Sequence, residues 1–246
     1  MKKALFIIPF LIFLACDKIE QPLKPAYNFC EGCENTYTPN FITTQNVLIE
    51  EFTGITCNNC PNAAIETERL IDENPDRVFT IGIHASNFAV PDSSAGYTAD
   101  FRTPEGTEIH KDANPLGVPS ALINRIDYGT PLYAKIQPST WESYVDDILA
   151  KGTSEVGMMT EALYNDTTLE VCLTTRFKAE KDLTNRNLWW AAFLTESGMV
   201  AQQKMPDNSK NPDYVHKHVL RTSFNGTYGE ALTGLELTGS TTCTSR

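Results

Sequence analysis

Three observations predict an α/β domain, with a mixed central sheet flanked by helices, followed by an all-β sandwich. Val47-Leu48-Ile49-Glu50-Glu51-Phe52 is a strand-length apolar run that leads through a short turn into Cys57-Asn58-Asn59-Cys60-Pro61 and an amphipathic stretch. Arg77 to His84 is a second continuous apolar run, as expected of a central parallel strand, so strand, helix and strand make a βαβ unit. After Gly152 the helical periodicity gives way to strand-like segments punctuated by turn residues.

The N-terminus sets the compartment. Lys2 and Lys3 precede the apolar stretch Ala4 to Leu14, interrupted only by Pro9 and too short to span a bilayer, as in a cleaved export signal over residues 1–15. Phe13-Leu14-Ala15-Cys16 resembles a bacterial lipobox, in which Cys16 is lipidated and becomes the mature N-terminus; ordinary cleavage after Ala15 is the alternative. Either route takes the chain out of the cytoplasm. Residues 16–46 are polar and carry Pro22, Pro25 and Pro39, which suits a tether holding a folded body away from a membrane.

Loss of Lys2 and Lys3 lowers the 20 Lys and Arg to 18 against 31 Asp and Glu, moving the formal charge from −11 to −13. That field repels phosphate backbones, and no basic cluster offsets it, so nucleic acid is not an expected partner. No later apolar run approaches membrane-spanning length, so attachment is expected through lipid on Cys16.

From residue 47 the elements follow in order. A buried strand at 47–52 carries two acids, residues 53–56 turn, and a helix is expected over 61–74 with Ala64, Ile65, Leu70 and Ile71 as its apolar positions. The strand at 77–84 follows. Residues 86–113, rich in Gly, Pro, Ser and Asp, are too long for a plain connection and read as an insertion containing some helix. Val118-Pro119 then turns into a strand at 120–124, and Tyr128-Gly129-Thr130-Pro131 reads as a turn. Ser139-Thr140-Trp141-Glu142 resembles a capping box opening a helix to about Lys151, which would close a first domain at 47–152.

Residues 156–164 and 168–177 read as a hairpin around Asn165-Asp166, residues 187–195 and 199–204 as a second around Glu196-Ser197-Gly198, and 215–224 as one further strand. A small antiparallel sandwich of immunoglobulin-like type is therefore expected over 153–246, with no closing strand evident before Ser245-Arg246.

The chemistry centres on Cys57. A cysteine where a strand meets a helix N-terminus faces unpaired N–H groups and the positive end of the helix dipole, which favour thiolate, so Cys57 is the candidate nucleophile. Cys60, one turn along, is the candidate resolving thiol, and Pro61 sits where a missing N–H costs little. The alternative is a permanent structural disulfide, common in exported proteins; the nearby Glu50 and Glu51, with no flanking Lys or Arg, lean that way. Cys30-Glu31-Gly32-Cys33 has no strand or helix around it and reads as a local structural disulfide; a four-thiolate zinc site joining it to Cys57 and Cys60 is the competing reading. Export makes a disulfide between Cys172 and Cys243 reasonable. His216 and His218 alternate in a strand and would share a face, yet with no third ligand packing outweighs metal, and no metal or cofactor is expected. His84, at the carboxyl end of a central strand, is placed either near the site or at a helix cap.

These residues resemble the thioredoxin superfamily, whose pattern has a Phe five and a buried acid six residues before the first Cys, where Phe52 and Glu51 stand. The resemblance implies that Glu51 accepts the proton of Cys60, that Gly117-Val118-Pro119 is the cis-Pro loop with Pro119 against the thiols, and that the backbone of Val118 pairs with an extended partner. It also argues against zinc, because that proline blocks access of a metal. Thr56 and Asn58-Asn59 replace the Trp and Gly-Pro of thioredoxins, and the intervening pair tunes redox potential, which leaves the redox direction open.

A closer resemblance spans nearly the whole chain. Glu50 to Pro61, Gly117-Val118-Pro119-Ser120, and Tyr214-Val215-His216-Lys217-His218-Val219-Leu220-Arg221 are similar to the Omp28-related outer membrane lipoproteins of Bacteroidetes-type bacteria. That family implies a lipoprotein signal, a thioredoxin-like domain and a β-sandwich domain, anchored in the cell envelope at the outer membrane. Two functions are expected from the whole reading. One is thiol–disulfide exchange with extracytoplasmic protein thiols or disulfides. The other is a noncatalytic surface protein that binds a ligand or adheres, with cysteines as staples.

Overall fold

The computed structural model describes residues 40–127, 137–165, 167–183 and 185–232, and the backbone of 240–245. The signal at 1–15, Cys16, Cys30, Cys33, the tether to residue 39, the turn at 128–131, Asp166 and the side chain of Cys243 lie outside the described residues.

Ile42–Thr44 forms β1 and Val47–Thr53 forms β2, after which Cys60–Glu73 is α1 and Val78–His84 is β3. Helix α1 therefore starts at Cys60, with Asn59 as N-cap and Pro61 in the first turn. Its buried face is Cys60, Pro61, Ala63, Thr67 and Leu70; Ile65, expected on the apolar side, is 68% exposed. Helix α2 is Pro104–Ala113, capped by the Thr103 hydroxyl, which accepts from the Gly106 N–H at 3.0 Å. Strand β4 is Ser120–Ile123 and α3 is Trp141–Leu149. The expected capping box is not formed at α3: the Thr140 hydroxyl donates to the Gln137 carbonyl across a short 3₁₀ turn instead.

The later chain supplies β5 at Thr153–Asn165, β6 at Glu170–Ala179, β7 at Trp189–Trp190, β8 at Phe193–Glu196 and β9 at Met199–Lys204. Then come β10 at Lys210–His216, β11 at Val219–Ser223, β12 at Glu230–Ala231 and β13 at Ser240–Ser245.

The molecule is mixed α/β, mostly sheet with few helices. A five-stranded sheet runs β4-β2-β3-β11-β8. β2 and β3 are parallel, Val47 opposite Val78 through Thr53 opposite His84, with α1 between them in sequence. β4 returns antiparallel beside β2, Phe52 opposite Ser120. Helices cover both faces because side chains alternate along β2. Val47 and Ile49 join Ala63 and Leu70 of α1, Ala121 and Ile123 of β4, and Trp141, Val145 and Ile148 of α3 in one core. Phe52, Ile81, Ile83 and Leu122 face the other way, onto Ile109 and Ala113 of α2 and Leu220 of β11.

The expected sandwich is corrected here. Residues 39–246 cluster as one compact unit, and β8 and β11, from beyond residue 152, complete the first sheet, so the boundary expected at 152/153 does not separate the sheets. A burial argument accounts for this: β3 is apolar on both faces and needs a neighbour on its free edge, which Val219, set against Gly82, supplies. The β5–β6 hairpin forms, Asn165 opposite Glu170, inside a four-stranded antiparallel sheet β1-β5-β6-β13. Residues 42–44, expected as tether, thus belong to a sheet. The second expected hairpin divides: β8 pairs with β11 and β9 with β10. The single strand expected over 215–224 breaks at Lys217-His218, where His218 adopts φ +54°, giving β10 and β11. His216 and His218 consequently do not share a strand face.

Candidate functional site

The parallel pair β2 and β3 ends at Thr53 and His84, opposite each other, and β4 begins at Ser120 beside Phe52. The chain leaving β2, the chain leaving β3 and the Val118-Pro119 turn before β4 therefore meet at one sheet end. Gly54 starts the turn toward the cysteines, and a Cβ there would collide with the backbone of Phe88 and Ala89. The Thr56 N–H and hydroxyl donate to the Phe88 carbonyl at 3.0 and 2.9 Å, tying that turn to the segment after β3.

Cys57 and Cys60 are joined in a disulfide with their Cα atoms 5.5 Å apart. Cys57 stands in the turn before α1, its N–H donating to the Gly54 carbonyl at 3.1 Å, and Cys60 is the first helical residue. Both are buried, at 3% and 2% exposure. The cover is the β9–β10 hairpin. Its Gln203 amide donates to the Cys57 carbonyl at 2.9 Å and to the Gly54 carbonyl at 3.3 Å, and the Lys204 N–H donates to the Ile55 carbonyl at 2.8 Å. Ile55 itself packs with Tyr97, Phe101, Ala201 and Val219. The Val118–Pro119 peptide is cis; Pro119 is buried, and Val118 is half-buried against the Phe52 and Ile109 core.

A cavity of about 50 Å³ lies beside the disulfide, lined by Glu51, Thr53, Cys60, Pro61, Ala64, Gly82, His84, Gln203, Tyr214, His216 and Lys217. Glu51 and Cys60 thus face the same space. The Thr67 hydroxyl lies 3.1 Å from the Glu51 carboxylate, but burial dominates and pushes the Glu51 pKa up from 4.5 to about 7, with the nearby Glu68 charge adding to the rise. Glu50, one residue earlier, faces the other way and is paired bidentately with Arg125 at 2.5 and 2.7 Å.

His84 and His216 are also buried, ring centroids 5.7 Å apart, and both stack edge-on against Phe101. Burial lowers the His84 pKa to about 3, with His216 beside it adding to the fall, and burial lowers His216 to about 4. Among the described residues His84 Nδ1 and His216 Nε2 have no hydrogen-bond partner. Among the described residues no group of three or more His, Cys, Asp or Glu is placed to hold a metal ion.

A larger groove of about 650 Å³ runs between α1 and β10 over the sheet and shares Glu51, Ala64, Gly82, Tyr214 and Lys217 with the small cavity. Lys217 Nζ and His218 Nε2 both reach the Glu68 carboxylate, at 2.5 and 3.1 Å, pinning the end of β10 to α1.

Sequence reasoning picked out Cys57, Cys60, Glu51 and the Val118-Pro119 turn, which the structure gathers at one sheet end. Gln203 was not anticipated, since it comes from a hairpin about 150 residues downstream that no local motif marks; Tyr214 and Lys217 lie in the segment that carries the Omp28 resemblance, but nothing in that segment shows that they reach this cavity.

The sequence profile of the family described as outer membrane protein Omp28 matches residues 108–245. The chain belongs to the Omp28 family. Membership points to the outer membrane or cell envelope. No curated protein matches the chain. Among solved structures, HBP35 of Porphyromonas gingivalis is similar in fold, with a TM-score of 0.60 at 19% identity over 83% of this chain; the chain spans 64% of that structure's length. Protein AGR_C_4864 of Agrobacterium tumefaciens matches with a TM-score of 0.47 at 16% identity, covering 80% of this chain and 77% of that one. The family match begins at Glu108, beyond Cys57 and Cys60, so the Omp28 profile and the cysteine site rest on separate parts of the chain.

Proposed function

We propose that this Omp28-family chain is a lipid-anchored envelope protein, held by Cys16, whose Cys57–Cys60 pair exchanges disulfides with extracytoplasmic thiols. The observation that carries this reading is the shared cavity: Cys60 and a buried carboxyl of raised pKa, Glu51, face the same small space at the carboxyl end of β2. A carboxyl titrating near neutrality is matched to moving a thiol proton at that pH. The order β3-β2-β4, with α1 following the cysteine turn, supports a thioredoxin-like unit around the pair. In that unit Cys57 is the nucleophile, Cys60 resolves, Glu51 accepts the proton, and the Val118-Pro119 loop lies where the backbone of a partner would pair.

The test is thiol trapping of the folded protein. Mild dithiol reductant followed by a maleimide is expected to label both cysteines with the circular dichroism unchanged. Labelling only after unfolding would end the exchange reading.

One observation favours a second reading. The 3% exposure of Cys57 beneath the Gln203 amide is what a structural staple in a noncatalytic binding or adhesion protein would show. Under that reading Cys57→Ser lowers stability by about 2–5 kcal/mol and alters no transfer reaction.

A further inference from the structure

The disulfide is covered at Cys57 by the hairpin, whereas Cys60 borders a cavity. Gln203 and the β9–β10 hairpin cover Cys57, and Cys57 lines neither the small cavity nor the groove. Cys60 does line the small cavity, which adjoins the groove between α1 and β10 and has Glu51, Ala64, Gly82, Tyr214 and Lys217 in common with it. At about 650 Å³ the groove has the size of a small-molecule site.

We infer that this groove admits a small neutral or cationic thiol, which attacks the disulfide at Cys60. The inference rests on the exchange reading and fixes its substrate class, but for a small thiol it reverses the roles of the two sulfurs: Cys60 carries the mixed disulfide and the covered Cys57 is the leaving thiol. The groove stands beside the cavity that Cys60 lines, within reach of a small thiol, whereas a folded protein would have to lift the hairpin. The charge of the site argues for the sign of the ligand. Glu51, Glu68, Asp72 and Glu73 line the groove against Arg69 and Lys217. Arg69 is engaged with Glu66, Glu73 and Glu142, and Lys217 with Glu68. An anionic thiol entering there meets carboxylates whose cations are already occupied.

The sulfur of the first thiol, its proton taken by ionised Glu51, attacks Sγ of Cys60, and the Cys57–Cys60 bond breaks with its electron pair on Sγ of Cys57, which is then protonated. A second thiol attacks the bound thiol's sulfur, releasing the small disulfide and leaving Cys60 as the thiol. Two thiols are oxidised to one disulfide, and the protein disulfide is reduced to two thiols.

The experiment uses the oxidised full chain with cysteamine, with 3-mercaptopropionate of similar size and opposite charge, and with a reduced dithiol protein, all at equal thiolate concentration. Cysteamine is expected to reduce the pair at least tenfold faster than either of the others. Acid-quenched mass mapping should place the mixed disulfide on Cys60. Ala64→Phe, which fills space at the residue lining both cavities, should slow cysteamine at least tenfold with Tm unchanged; should it fail to fold, the mapping alone decides. A mixed disulfide on Cys57, or a dithiol protein as fast as cysteamine, overturns the groove route while leaving exchange intact. Resistance to all three thiols until unfolding overturns the route and the exchange reading together.

Discussion

Glu50 and Glu51 are adjacent in β2 and both buried, yet alternation sends them to opposite faces, where burial is answered differently. Glu50 is paired with the Arg125 guanidinium, whereas burial, with the Glu68 charge nearby, pushes the Glu51 pKa up to about 7 against the lowering effect of the Thr67 hydroxyl. A carboxyl with a raised folded pKa stabilises fully below its unfolded value of 4.5, and that stability is lost as pH rises through about 7. Glu51→Gln should therefore remove about 3 kcal/mol of pH-dependent loss between pH 4.5 and 8. Urea unfolding at pH 5 and pH 8 measures it: the wild type is expected to lose stability relative to the variant on going to pH 8. An unchanged difference would show that Glu51 is ionised in the fold at both pH values.

The sequence already shows that two acids sit in an apolar run; it does not show which face each takes, because that depends on where α1 and Arg125 pack. His84 was legible as a sheet-end residue. Its partner His216 was not, since it is set by a turn at residues 217–218 that local periodicity passes over.

Among the elements, the β9–β10 hairpin decides what the cysteines can do. The β2–α1–β3 unit is readable from local apolar runs, but the hairpin is held by long-range hydrogen bonds from Gln203 and Lys204 to the turn at residues 54–57. Gln203→Ala leaves buried carbonyls of Gly54 and Cys57 without that donor, at a cost of about 1–3 kcal/mol. Its reduction by a dithiol protein in the folded state should be faster than in wild type, because the cover over Cys57 is loosened. Stopped-flow thiol trapping checks this, and an unchanged rate would mean that the hairpin does not limit access. The same long-range logic explains why a boundary at residue 152 does not separate the sheets: the free edge of β3 is filled by β11, about 140 residues later in the chain, and no local signal announces that pairing.

At the scale of the whole molecule, the three buried titrating groups around the site set an optimum. Between pH 4.5 and 6.5 the unfolded chain binds protons at His84 and His216 that the fold refuses, while the fold holds one at Glu51 that the unfolded chain releases. Their net contribution makes stability rise by about 1.4 kcal/mol per pH unit in that window; above pH 6.5 only Glu51 remains and the sign reverses until about pH 7. Maximum stability is expected near pH 6.5, and His216→Phe should flatten the acid side. Chemical unfolding across pH 5 to 8 tests both, and a monotonic rise to pH 8 would contradict the assignment of Glu51.

The central claim is that a covered disulfide is a working redox centre, and its reduction potential tests that most directly. Equilibration of the full chain in glutathione buffers, with thiol trapping and mass mapping of Cys57 and Cys60, should give a potential of roughly −120 to −270 mV, the range of catalytic pairs. A potential below roughly −300 mV, or no trapping before the protein unfolds, would make the pair a structural staple and contradict the account.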